Sequence, residues 1–213
     1  NIFLKECQIN RGAAFARQLG VDYASGEYVA FLDSDDGWSS NRVFLLIDFM
    51  KKNNLDIIGG ATIVVNDTEF NDMRHIAINT KGKLIDFKSF IFKNFYSTPS
   101  VIVKRKIFQT NKFNIGMRYS EDWECWRRIV YSSNSFLLEN SACYSFKHCY
   151  ISTKTNSLSA STRKMSRGEL YGLYILFKNK NIGLKYKFLL PTAIFYSFCK
   201  ALYRELRRMM SFK

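Results

Sequence analysis

Ala24-Ser25-Gly26-Glu27-Tyr28-Val29-Ala30-Phe31-Leu32-Asp33-Ser34-Asp35-Asp36-Gly37 is the stretch on which the fold turns. Its middle, Glu27 to Leu32, is a short β-prone run that reads as a buried strand. The run halts at a turn carrying Asp33, Asp35 and Asp36. Upstream, Asn10-Arg11-Gly12 reads as a turn. Ala13 to Ala24, rich in Ala, Leu and Arg, reads as a helix closed by Ser25-Gly26. Downstream, Ser39 or Ser40 can cap a helix over Asn41 to Lys52, and Asp56 to Val65 reads as a second strand. Helix, strand, helix, strand in this order predicts an α/β sheet.

Carboxylates packed as closely as those of the Asp33–Asp36 turn repel one another unless a cation neutralises them. Mg²⁺ or Mn²⁺, hard and oxygen-seeking, is the natural candidate. Ligands of open α/β sheets also sit beyond the carboxyl ends of the strands, where this turn falls. A solvated Asp-rich turn fits the same residues, because Asp and Gly favour turns anyway. Arg17 likewise reads either as a partner of the turn or as a surface arginine paired with a nearby acid.

Further along, Phe87 to Tyr96 reads as a helix and Ser100 to Val103 as a strand. Lys164 to Phe177 is an amphipathic helix with Leu170, Leu173, Tyr174 and Phe177 on one face. The block Ser120-Glu121-Asp122-Trp123-Glu124-Cys125-Trp126-Arg127-Arg128-Ile129 predicts a helix running to Tyr131, capped by Ser120. Glu121 and Asp122 fall in its first turn, where acids complement the helix dipole. Glu124 and Arg128 are spaced for a solvated ion pair. Asp122 shares a stripe with Trp126 and Ile129, so two readings stay open: a pocket-lining carboxylate or a dipole partner.

Asn10-Arg11-Gly12-Ala13-Ala14-Phe15-Ala16-Arg17-Gln18-Leu19-Gly20, followed by Ala24 to Asp36, closely resembles the nucleotide-sugar half of family 2 glycosyltransferases. The main departure is Gln18, where relatives often carry Asn. The resemblance implies a GT-A fold, a Rossmann-like α/β arrangement with a mixed central sheet flanked by helices. It implies nucleotide-sugar contacts from Asn10, Gly12, Arg17, Asp33, Ser34 and Asp35, with Asp33 near the ribose. Asp35 and Asp36 would hold Mg²⁺ or Mn²⁺. The Glu-Asp motif at Glu121-Asp122 matches the position at which the family carries its base. Asp122 would take the acceptor proton, Glu121 would compete or line the acceptor site, and Trp126 would stack on an acceptor sugar. Many relatives follow with a His and then Asn-Ser-x-Ser. Here Asn156-Ser157-Leu158-Ser159 is present, but Lys154 stands in the His position and could contact phosphate, with His148 upstream.

The resemblance covers about residues 1–160 and lacks the family's first strands. Asn1-Ile2-Phe3-Leu4 opens the chain without an initiating Met and reads as an interior strand, so a longer protein is expected. Residues 161–213 form a second unit, a basic helical C-terminal region. The 213 residues are 47% hydrophobic and 16% aromatic, which argues against disorder. The formal net charge is +14, but residues 1–150 carry only +3 of it and residues 151–213 carry +11.

If Phe195 to Met210 is helical, Phe195, Phe198, Cys199, Leu202, Leu206 and Met209 form one stripe, and Lys200, Arg204, Arg207 and Arg208 another. Such a helix suits an anionic membrane surface. It also fits plain packing on the domain with a solvated basic face. Binding single-stranded nucleic acid wants aromatics interleaved with the charges, which this pattern lacks. The five cysteines form no C-x-x-C pair, so reduced thiols and a cytosolic location are expected. No uncharged apolar run reaches the roughly 18–20 residues of a membrane span. The leading expectation is an inverting transferase. It would move a sugar from a nucleoside-diphosphate sugar to a glycan or polyprenyl-diphosphate-linked acceptor, on the inner face of a bacterial plasma membrane, in surface-polysaccharide or O-antigen synthesis. A non-catalytic membrane-bound remnant and a basic nucleic-acid-binding protein or metal-dependent nuclease are the alternatives.

Overall fold

The structure is a computed structural model that describes residues 2–73, 78–146 and 161–210. Residues 2–10 run outside helix and sheet, with Ile2, Phe3 and Leu4 exposed, so the expected opening strand is not formed there. Gly12 then takes φ +86°, a conformation glycine adopts freely, and its N–H donates to Asn10 Oδ1 at 2.9 Å. That turn launches α1 (Ala13–Tyr23), which buries Ala14, Gln18 and Val21 at helical spacing. The helix closes at Ala24 rather than Gly26, with the Ala24 N–H bonded to the carbonyls of Gly20 and Val21. Gln18, the departure from the family pattern, is buried. Its amide donates to Asp22 and accepts from the Phe113 N–H at 2.8 Å, pinning α1 to the loop before α5 (Glu121–Tyr131).

Two sheets organise the α/β body. The larger has five strands in the order β1 (Tyr28–Ala30), β6 (Ile102–Lys104), β3 (Ile57–Gly59), β7 (Ser135–Leu138), β5 (Gly82–Leu84). Only β3 and β7 are parallel, so the sheet is mixed as expected. The smaller sheet orders β2 (Asp36–Trp38), β8 (Cys143–Ser145), β4 (Ile63–Val64). The strand expected over Asp56 to Val65 is therefore split between the two sheets. The break falls at Gly60, whose N–H donates to Ser100 Oγ and whose carbonyl accepts from the Ser97 N–H.

Strand alternation sends Ile57 and Ile58 into different cores. Ile58 joins Leu46 and Met50 of α2 (Arg42–Lys52). Neither Ser39 nor Ser40 holds the cap position of that helix. Asn41 stands at the cap, and Ser39 Oγ lies 3.2 Å from Tyr144 Oη. Ile57 faces the larger core, built by α1, α4 (Phe87–Phe92), α5 and the two C-terminal helices α6 (Thr162–Lys178) and α7 (Leu184–Met210). A short α3 (Asp67–Met73) follows the small sheet's β4. Helix α4 stops at Phe92, four residues before the expected end, because Lys93 is already extended.

The basic C-terminal region thus packs on the body: Leu173, Leu176, Leu190 and Ala193 are in the same core as Phe31 and Trp126. Of the expected apolar stripe, Phe195, Phe198, Leu202 and Leu206 are at least half exposed, and Phe188 extends that outward row. The basic row is partly spent inward. Lys200 donates to the buried Glu169 of α6, and Arg204 lies 4.0 Å from it. No described helix is long and apolar enough to cross a membrane.

Candidate functional site

The acidic turn starts where β1 ends. Phe31 is fixed by its N–H to the Val101 carbonyl and by edge-on contacts with Phe113 and Trp126 at 5.6 Å. Two residues on, Asp33 emerges half-buried, and Asp35 is exposed. Asp36 opens β2, paired across to Ser145. Ser34 lies beside Asp33 on the rim of a groove of about 570 Å³ that runs between α1 and the edge strand β1.

Arg17, on the face of α1 that meets the turn, reads out both acidic motifs. Its Nη2 donates to Asp33 Oδ1 at 3.2 Å and its Nη1 to Glu121 Oε1 at 2.8 Å. Arg17 is thus an arginine paired with two acids, one of them in the turn, which is compatible with both readings. Asn10 and Gly12 build the turn that starts α1 and do not line the cleft described next.

Helix α5 begins at Ser120, which adopts a left-handed φ of 56° and makes no side-chain cap. Its hydroxyl donates instead to the Met165 carbonyl of α6. Asp122 then sits at the helix N-terminus with both carboxylate oxygens engaged. Oδ1 accepts from the Trp123 N–H at 2.7 Å and Oδ2 from Thr98 Oγ1 at 3.1 Å. Glu121 beside it is only 7% exposed. Burial and the Asp122 carboxylate raise the Glu121 pKa, while Arg17 opposes them.

Asp122, Asp33 and Arg17 line a single cleft of about 480 Å³, with Thr62, Asn94, Ser97 and Thr98 on its walls. The two motifs read separately along the chain therefore meet in space. Thr98 carried no signal in the sequence, since a lone Thr in a Thr-Pro-Ser segment reads as a turn.

Two expectations are corrected. Trp126 is fully buried, edge-on to Phe31 and to Phe113 at 5.4 Å, so no sugar can stack on it; its ring joins the end of β1 to α5. The Glu124–Arg128 pair is not solvated. Glu124 is 2% exposed and receives two bonds from Arg128, at 2.6 and 2.9 Å. Lys154, His148 and Asn156 to Ser159 lie outside the described residues.

Asp35 and Asp36 offer hard oxygen donors suited to Mg²⁺ or Mn²⁺, ions that keep several waters and share their shell with substrate phosphates. Among the described residues no three His, Cys, Asp or Glu side chains cluster to hold a metal unaided. By donor chemistry Asp35, which is exposed, suits an ion that shares its shell with a diphosphate, whereas both Asp36 carboxylate oxygens are buried.

The family profile described as Glycosyl transferase family 2 matches residues 1–112. An uncharacterized glycosyltransferase of Rickettsia felis is 33% identical over 137 residues, covering 59% of this chain and 20% of that protein. The Escherichia coli UDP-Glc:alpha-D-GlcNAc-diphosphoundecaprenol beta-1,3-glucosyltransferase WfgD is 28% identical over 124 residues, covering 58% of this chain and 46% of the relative. The chain thus spans less than half the length of either relative. S. aureus TarS 1-349 in complex with UDP-GlcNAc superposes with a TM-score of 0.62 at 16% identity, over 87% of this chain and 53% of that one. At that identity the likeness shows the fold alone, and it bears out the GT-A expectation of a mixed sheet flanked by helices.

Proposed function

The chain belongs to glycosyl transferase family 2, and on that premise we propose that it forms the catalytic part of an inverting glycosyltransferase of bacterial surface-polysaccharide synthesis. The donor is a nucleoside-diphosphate sugar. The acceptor is a hydroxyl of a lipid-linked glycan, the class named for the E. coli relative. The observation that carries this reading is the single cleft shared by Asp33, Arg17 and Asp122.

In that cleft the Asp122 carboxylate serves as base. The acceptor oxygen attacks the anomeric carbon from the face opposite the diphosphate, its proton passes to Asp122, and the bond to the diphosphate oxygen breaks with its electron pair. Thr98 and the α5 N-terminus hold the carboxylate in place for this transfer. Arg17 keeps Asp33, at the donor end, in register with the start of α5. When bound through Asp35 and Asp36, Mg²⁺ or Mn²⁺ supplies charge neutralisation of the departing diphosphate.

The outward apolar row of α7 supports a further part of the reading, peripheral attachment to the inner face of the plasma membrane. The deciding experiment is Asp122→Asn in the full-length protein. Transfer is expected to fall by about 10²–10⁴-fold, the usual worth of a general base, with donor binding retained. Full transfer activity in that variant would sink the base assignment.

A further inference from the structure

Asp122 and Asn94 also line a second cleft, of about 560 Å³, which opens between α4, α5, α6 and α7. Lys93 enters this cleft from the end of α4, and Lys200 and Arg204 enter from α7. We propose that this cleft binds the phosphate or diphosphate that joins the acceptor glycan to its carrier, with Lys93, Lys200 and Arg204 facing the anion. The proposal rests on Asp122 being the base and deepens that reading by placing the acceptor.

The charges point to an anion. Three cations line the cleft against two carboxylates, Glu169 and Asp122, and Asp122 is shared with the donor cleft. Glu169 is 4% exposed and engaged by the Ser197 hydroxyl at 2.6 Å as well as by Lys200. One buried carboxylate therefore orients two cations of α7 and leaves positive charge over. The Lys200 ammonium also lies 5.1 Å from the Trp123 ring and 5.7 Å from the Tyr196 ring, which fixes it further. Cations held this way bind an anion without first losing side-chain freedom.

None of these cations lines the cleft proposed for the donor. Lys200 and Arg204 lie close along α7 to its outward apolar row. Tyr196 points into the cleft while its neighbour Phe195 is 69% exposed on the outer face of α7. A carrier lipid leaving the cleft would meet that apolar row directly.

The test is equilibrium binding to the full-length protein with the donor cleft filled by saturating nucleoside diphosphate. One probe is a fluorescent alkyl diphosphate bearing a single N-acetylhexosamine. The second is the same sugar on the alkyl chain without the diphosphate, and the third is inorganic pyrophosphate as competitor. The diphosphate probe is expected to bind at least about tenfold tighter than the neutral one, as charge-assisted contacts allow. Lys93→Ala and Arg204→Ala should each remove about fivefold or more of that preference, and Lys93→Arg should restore it. Pyrophosphate is expected to displace the diphosphate probe but to bind more weakly than it does; pyrophosphate binding tighter than the glycolipid probe would assign the site to free phosphates and overturn the proposal. Equal binding of the two glycolipid probes, or an unchanged preference in Lys93→Ala, overturns the proposal. Lys93 is exposed, so its substitution keeps the test valid even if Arg204→Ala unfolds. Asp122-dependent transfer is measured separately, so losing the cationic cleft would leave the base assignment standing.

Discussion

Arg17 and Glu121 lie 104 positions apart in the chain and are joined by an ion pair of 2.8 Å. The second nitrogen of the same guanidinium holds Asp33, so one side chain of α1 couples the acidic turn to the first turn of α5. Neither partner of the Arg17–Glu121 pair is well exposed, at 17% and 9% of the side chain.

Arg17→Met is expected to destabilise the fold by about 1–3 kcal/mol, since it leaves a buried carboxylate without its charged partner. The deficit should depend on pH. Burial and Asp122 already raise Glu121, and losing Arg17 removes an opposing influence, so its pKa climbs further. A carboxyl raised on folding keeps its stability below the unfolded value, near pH 4.3, and loses it as pH climbs through the folded value. Denaturant melts of the variant and the parent should therefore nearly coincide at pH 4 and separate towards pH 8. A deficit of equal size at both ends would show that Glu121 does not carry it.

Trp126→Ala is expected to cost about 3–5 kcal/mol, the usual range for emptying a large aromatic site in a core. Trp126→Phe should cost less and leave the KM for the acceptor unchanged, because the ring packs on Phe31 and Phe113 instead of meeting substrate. A specific rise in acceptor KM, with stability intact, would restore a sugar-stacking role.

These residues also show what local pattern can and cannot carry. The bounds of α5, Glu121 to Tyr131, were legible because acids crowd its start. Which side faced the core was not legible, since Phe31 and Phe113 come from distant segments. The acidic turn announced itself by composition, and Arg17 by its place in the family pattern. The reach of Arg17 to Glu121 needed the fold. The run from Asp56 to Val65 misled for a similar reason. Its continuous Ile and Val content hid a change of sheet at Gly60, fixed by hydroxyls of Ser97 and Ser100 some forty positions away.

Asp56 offers a second test of linkage, with the opposite sign. Burial alone would raise its carboxyl, yet the bond from Lys104 at 2.8 Å and the Asn134 N–H hold it below the usual carboxylate range. It thereby ties the start of β3 to β6 and to the lead-in of β7. A lowered carboxylate contributes stability above its unfolded value, near pH 3.9, and loses it as pH falls through the folded value. Asp56→Asn is expected to cost about 1 kcal/mol at pH 7, with the difference closing as pH falls below the unfolded value. Parallel melts across that range decide it, and a deficit that persists undiminished at pH 2 would refute the linkage.

Gly168 tests whether the C-terminal helices position the candidate base. A Cβ built there would lie 2.2 Å from the Tyr119 carbonyl oxygen, a backbone atom that no side-chain rotation can clear. One turn on, a Cβ at Gly172 would sit 3.3 Å from that of Glu124, so the two glycines let α6 press against the start of α5. The Ser120 hydroxyl closes the same contact through Met165. Alanine would gain about 1 kcal/mol of helix propensity over glycine, but overpacking against backbone costs about 1–3 kcal/mol and has to move one helix. Gly168→Ala is therefore expected to lower stability and, in the fraction that folds, to displace Ser120 and with it Asp122. The signature is a fall in kcat for transfer with donor affinity held, because Asp33 and the acidic turn rest on β1 and not on α6. A variant that melts lower yet turns over at the parental kcat would show that α6 buttresses the fold without placing the base.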